Sequence, residues 1–322
     1  MRKQAMRNEE FVEEEEEASE IEDDGTGRET TRRSPMALRL FPHASLVTNL
    51  LDQQHWAEQL GTNGTGHGGS DDGRLFRADL SFNAVLRDPG IAVARAPISW
   101  EARRLVQPSD VPFILTRAIV LTTDWATLLN DFYALSMSDR QTLLHARGTM
   151  ISFITCGFNS FVRGGGENLL MLDGTFYPRC PRLQEELPFS INHFLKGAAA
   201  AFDELFTSMR ENDFDNGEMA VLKALTLFMS TPKMSPEGRR HVEQTRLRYV
   251  DALYAHIRQR RPELSERKVA MRIAKILLLL PLAKRVAHEQ DITIQSLALC
   301  NVIDNLHGTL YEVHAPDTTA YE

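Results

Sequence analysis

Apolar residues recur at helical spacing along most of the chain from residue 74 onward. "ADLSFNAVLRD" (Ala78–Asp88) reads as a first helix, and "DPGIAVARAPISW", with two prolines, as an extended connection. Pro112 then opens a helix to about Leu129, with Ser109 or Asp110 as its cap. Phe113, Ile114, Leu115, Ala118, Ile119, Val120, Leu121, Trp125, Ala126, Leu128 and Leu129 go almost all the way round it. Such a helix runs through the middle of a larger protein. Its exposed side is expected at Thr116, Arg117 and Thr123. Ser138-Asp139 starts the next helix, to about Arg163. Leu169–Leu172, Asp173-Gly174 and Thr175–Tyr177 spell a β-hairpin with a tight two-residue turn. Further helices are predicted at Ser190–Met209, Asn216–Ser230, Pro236–Arg260, Glu266–His288 and from Ile292 to about His314. Many helices and one small hairpin imply a layered all-α domain.

The first 73 residues differ. Residues 1–36 carry 12 acids and 6 bases, so they hold most of the chain's net charge of -8. The Glu13–Glu17 run repels itself, and few apolar residues offset the entropy of ordering, so a disordered acidic tail is expected. Residues 37–73 read as a hinge, with a short helix at Ser45–Leu60 and then a linker, Gly61–Gly73, with six glycines. The main domain is placed at 74–315 and a flexible C-terminus at 316–322. The nearly neutral body has no basic stripe for nucleic acid. Cys156, Cys180 and Cys300 are too dispersed for a zinc site or a disulfide framework, so no metal or cofactor is expected. The longest aliphatic run, Ile276–Ala283, is far short of the about 20 residues that span a bilayer. No nucleophile–base pairing or paired metal spacing emerges, so no catalytic residue is assigned.

The densest stretch is "DWATLLNDFYALSMSDRQTLLHA" (Asp124–Ala146). Here two helical patterns meet across a short joint. Phe132 and Leu135 can plug the joint, Asp139 suits the first turn of the new helix, and Leu143-Leu144 return the chain to the core. The spacing of Trp125-Ala126, Phe132, Leu135, Asp139-Arg140 and Leu143-Leu144 resembles the signature of the nuclear receptor ligand-binding domain. "LLMLDGTFYP" resembles that family's small hairpin, "EMAVLKALTLF" its eighth helix and "RIAKILLLLPLA" its Leu-rich tenth. "RAPISWEARR" and the ending "CNVIDNLHGTLYEVH" look most like nematode supplementary receptors. The resemblance covers roughly residues 75–315.

The resemblance implies a three-layer antiparallel helical sandwich of about ten to twelve helices around an apolar pocket. It implies a lipid-like ligand that biases the last helix, coregulator helices that dock in a groove beside it, dimerisation with itself or other receptors, and a nuclear location. The groove residues it implies are Thr127, Met137, Arg140 and Leu144, with Glu312 of "TLYEVH" as a charge clamp. Thr127 stands where the groove lysine usually follows Trp-Ala, which leaves Arg140 to supply that charge. A charge-assisted cap contributes about 1.5–3 kcal/mol, so its loss weakens docking. Thr309 and His314 stand where apolar residues are usual, and Asn159 where many relatives hold a polar ligand head with arginine. The three cysteines cannot supply the eight zinc ligands of the family's DNA-binding domain, so this chain alone is not expected to read DNA.

Helical projection places Ile114, Leu115, Ala118, Phe153, Cys156 and Phe176 around the pocket. Glu218 and Arg272 are candidates for a structural ion pair. Two other readings stay open: a ligand-independent interaction module with a filled core, and a cytosolic lipid carrier. A cavity below about 300 Å³ argues against both readings that need a ligand.

Overall fold

The computed structural model describes residues 44–60, 77, 79–164, 166–299 and 308–314. The acidic tail, the Gly-rich linker and the C-terminal segment lie outside the described residues. The helices are α1 (Ala44–Gln59), α2 (Phe82–Arg87), α3 (Val111–Thr127), α4 (Asn130–Tyr133), α5 (Met137–Gly164), α6 (Pro181–Gln184), α7 (Phe189–Asn212), α8 (Asn216–Leu227), α9 (Pro236–Arg260), α10 (Glu266–Leu277), α11 (Leu279–Leu299) and α12 (Gly308–His314). The strands are β1 (Ser99–Leu105), β2 (Asn168–Leu170) and β3 (Asp173–Pro178).

The expected all-α helical sandwich is what forms. α3 lies in the middle layer, packed on α1 and α5, and α5 in turn packs on α7, α8 and α11. α8 and α9 complete the side on which α1 rests. α3 starts where Gln107 and Asp110 form a reciprocal capping box and Pro112 sits in the first turn.

Four local expectations change. First, α1 was placed in a hinge, yet Val47, Leu50 and Ala57 belong to the main core and Gln53 Nε2 donates to the Leu128 carbonyl at 2.9 Å. Second, the connection before α3 supplies β1, which runs parallel to β3 and turns the hairpin into a three-stranded sheet of order β1-β3-β2. Third, the hairpin register pairs Leu170 with Phe176, and Met171 N–H bonds the Thr175 carbonyl. That leaves a three-residue loop, Leu172–Gly174, with Gly174 at φ 84° in place of the two-residue turn. Fourth, the helix drawn as Glu266–His288 breaks at Leu278. Pro281 has no N–H to continue the ladder and is tolerated only in the first turn of the new helix, α11.

The side of α3 expected to be exposed is the most buried. Thr116, Arg117 and Thr123 are 2%, 0% and 1% exposed. The connection before β1 covers them: Arg117 donates to the Ala96 carbonyl at 3.2 Å, and Arg95 clasps Asp124 through two hydrogen bonds of 2.9 and 2.8 Å. Burial pulls the Arg117 guanidinium down to about 10. No helix among the described residues is long and apolar enough to cross a membrane.

Candidate functional site

The corner between α3 and α5 is organised by Asp139. Ser136 caps α5, receiving the Asp139 N–H at 3.1 Å, and its hydroxyl donates to Asp139 at 2.9 Å. The carboxylate also accepts the Ser235 N–H at 2.8 Å and the Ser235 hydroxyl at 2.7 Å. Ser235 is the cap of α9, and its hydroxyl receives Gly238 N–H. One buried acid therefore fixes the first turns of two helices. Burial raises its pKa, but the bonds from Ser235 and Ser136 and the nearby Arg239 more than offset this and hold it below the ordinary value. Around it Phe132, Leu135 and Leu143 are buried. Trp125 and Ala126 close the α3 side, and Lys223 of α8 lies 4.6 Å from the Trp125 ring centre. Burial lowers Lys223 to about 8, and its Nζ donates to Gln54 at 3.3 Å.

Glu218 and Arg272 meet. Arg272 bonds both carboxylate oxygens and also donates to the carbonyls of Asn212 and Asp213 at 2.8 Å each. The same Glu218 receives the Asp215 N–H in the capping box of α8, so the pair ties α10 to the junction of α7 and α8.

The core holds a cavity of about 130 Å³. Ile114, Leu115 and Ala118 line it from α3, and Phe153 and Cys156 from α5. Phe176 does not. Residues directly opposite across a ladder share a face, and Phe176 faces Leu170, whereas the cavity wall is formed by Leu169 and Met171 on the other face. Lys223 and His314 complete the wall and were not anticipated from sequence. The Cys156 thiol donates to the Leu170 carbonyl at 2.9 Å, and burial pushes it up to about 12, far from a nucleophile's range. Asn159 is turned onto its own helix, donating to the Thr155 carbonyl and accepting from Arg163. A second depression of about 540 Å³ lies between β3 and α7, but Glu167, Arg179, Lys196 and Asp203 line it.

α12 closes against α2, α3 and α11. Leu310 and Val313 enter the core. The two polar departures are both buried and both bonded: Thr309 Oγ1 donates to the Leu80 carbonyl at 2.6 Å, and His314 Nδ1 lies 2.7 Å from Asp291. Gln295 donates to the His314 carbonyl, and His145 Nε2 donates to the Glu312 carbonyl at 2.7 Å. The Glu312 carboxylate accepts the Phe82 N–H of α2 at 2.9 Å.

Of the expected groove residues, Thr127, Met137 and Arg140 are half-buried at the corner. Leu144 is only 2% exposed and packs in the core. It lies one position from Leu143 on a helix with neighbours on several sides, so both leucines turn inward. Arg140 does not extend outward: its Nε donates to the Leu135 carbonyl at 3.0 Å and its guanidinium stacks 4.8 Å from the Tyr133 ring centre. The Thr127 hydroxyl turns back to the Asp124 carbonyl. Sequence reading drew the first helix at Ala78–Asp88, around α2, but assigned no role to His145 or to the contact of α2 with α12. The signal for α2 was present as Ser81 followed by apolar Phe82, Val85 and Leu86 at helical spacing.

Residues 101–299 match the family described as the ligand-binding domain of nuclear hormone receptor. The chain belongs to this family. Three relatives from Caenorhabditis elegans are similar to this receptor domain. Nuclear hormone receptor family member nhr-100 is 22% identical over 76% of the chain and 56% of its own length. Family member nhr-4 is 25% identical over 74% of the chain and 48% of its own length. Family member nhr-35 is 26% identical over 48% of the chain and 28% of its own length. The chain thus spans about half the length of the first two relatives.

Proposed function

We propose that this receptor-family domain regulates transcription in the nucleus through helical protein partners, with a core too tightly filled to hold a lipid. The observation that carries this reading is the cavity of about 130 Å³. Sites for drug-sized ligands occupy about 300–1,000 Å³. The closed position of α12 is supported by hydrogen bonds from Thr309, Glu312 and His314 to other parts of the same chain. The docking surface is the groove bounded by the end of α3, the start of α5 and α12, with Met137 and Arg140 at its corner end.

The test is titration of a labelled Leu-x-x-Leu-Leu helical peptide against the chain and its Met137→Arg variant, alongside a fluorescent fatty acid. Saturable peptide binding that Met137→Arg abolishes, with no stoichiometric fatty-acid uptake, is the expected result. Peptide binding untouched by Met137→Arg refutes the groove. One fatty acid bound per chain refutes the filled core.

A further inference from the structure

α2 is held in place by packing on distant elements and on the turn that follows it, rather than by its own length. It has six residues, whereas isolated helices shorter than about 12–15 residues are marginal in water. Its apolar residues stand at i, i+3 and i+4, and Phe82, Val85 and Leu86 are 2%, 0% and 4% exposed. Arg87 and Asp88 point to solvent. Three elements wall it in. Val85 clusters with Phe113 and Val120 of α3, together with Ala92 and Val93 from the segment that follows α2. The Phe82 ring meets His145 of α5 edge-on, with centres 6.4 Å apart. Glu312 of α12 takes the Phe82 N–H, and Thr309 of α12 takes the Leu80 carbonyl. An amphipathic helix lying in an apolar groove is read through such i, i+3, i+4 anchors.

We infer that α2 is an internal occupant of the α3–α5–α12 groove, and that a partner helix with an apolar-x-x-apolar-apolar pattern enters only by displacing it. This rests on the groove reading above and adds what fills the groove. The pattern α2 presents defines the partner: three apolar anchors, with its first free N–H turned toward Glu312. Displacement also removes the Leu80 acceptor from Thr309, so the partner that enters loosens α12 from its present contacts or takes over its bond.

A segment tethered in cis acts at an effective concentration on the order of millimolar. A cis helix that binds with a dissociation constant on the order of 100 µM then weakens a competing peptide about tenfold. The experiment uses the full chain and Val85→Asp, with a labelled Leu-x-x-Leu-Leu peptide read by fluorescence anisotropy. Hydrogen exchange of the α2 amides in the wild-type chain is followed with and without the peptide. The inference expects Val85→Asp to bind about tenfold more tightly, and the wild-type α2 amides to lose protection as peptide is added. Equal affinities with undisturbed α2 protection overturn the inference and leave the groove reading standing. No saturable binding to either folded chain overturns both. If Val85→Asp fails to fold, the exchange of the wild-type α2 amides decides alone: loss of protection supports displacement, and unchanged protection in the peptide-bound chain overturns it.

Discussion

The C-terminal end of α3 and its outer side are held by different physics. At its C-terminal end, long helices converge on one buried carboxylate, Asp139, which bonds the caps of α5 and α9 while Phe132 and Leu143 fill the joint. Along its outer side, helices of six and seven residues lean on each other through Glu312, Thr309 and His145. The corner is cooperative with the whole core, so disturbing it disturbs everything. The α2–α12 pair has few apolar anchors and mostly single hydrogen bonds, so it can open while the remainder stays folded. One sequence thus builds a densely tied frame and a lightly tied cover side by side.

The strongest way to break that contrast is Asp139→Ala. It leaves the Ser136 and Ser235 hydroxyls and the Ser235 N–H without their acceptor, and the expected loss is about 3 kcal/mol of global stability, seen as a lower urea midpoint with unchanged slope. A loss confined to local exchange would mean the corner is not a frame. Gly238→Ala comes next. A Cβ there would stand 2.5 Å from an Asp139 carboxylate oxygen, and the backbone must shift, at a cost of about 2 kcal/mol.

Lys223→Met moves the other way. The folded pKa of about 8 lies below the ordinary 10.5, so the unfolded chain binds more protons between these values and stability rises with pH across that window. Below pH 8 the full penalty is present. Replacing Lys223 therefore stabilises the neutral protein by about 2 kcal/mol once the Gln54 bond and Trp125 contact are subtracted. The gain shrinks toward pH 10, which chemical denaturation at several pH values would show. The smallest effect is Thr309→Val. Loss of one hydrogen bond costs about 1 kcal/mol, expected as faster amide exchange in α12 with the global urea midpoint unmoved. A shifted midpoint would erase the distinction between frame and cover.

The frame was legible because its signals are local. The signature Trp125-Ala126, Phe132, Leu135, Asp139 and Leu143 has fixed offsets, and α3 shows its centrality by apolar residues on every side. The Glu218 and Arg272 positions followed from matched helices. The cover was poorly legible because its partners are distant in sequence: Phe82 meets Glu312 and Leu80 meets Thr309. No periodicity encodes such a pairing. β1 escaped for the same reason, since its strand character comes from β3, more than a helix pair away. Phe176 was misplaced because side-chain direction in a hairpin depends on register, and register depends on a turn one residue longer than expected. Arg117 looked exposed because charge on a helix usually is, yet a covering segment can bury it when the arginine finds a carbonyl.

The polar character of α12 has a kinetic meaning as well. A wholly apolar helix can slide or roll in a greasy slot, passing through many nearly equal positions. Thr309, Glu312 and His314 make directional bonds to acceptors and donors on separate elements. Those bonds are satisfied together at one rotation and one axial offset, and all are strained by small departures from it. The bonds therefore hold this helix in one discrete seat, and leaving that seat breaks them together rather than one by one.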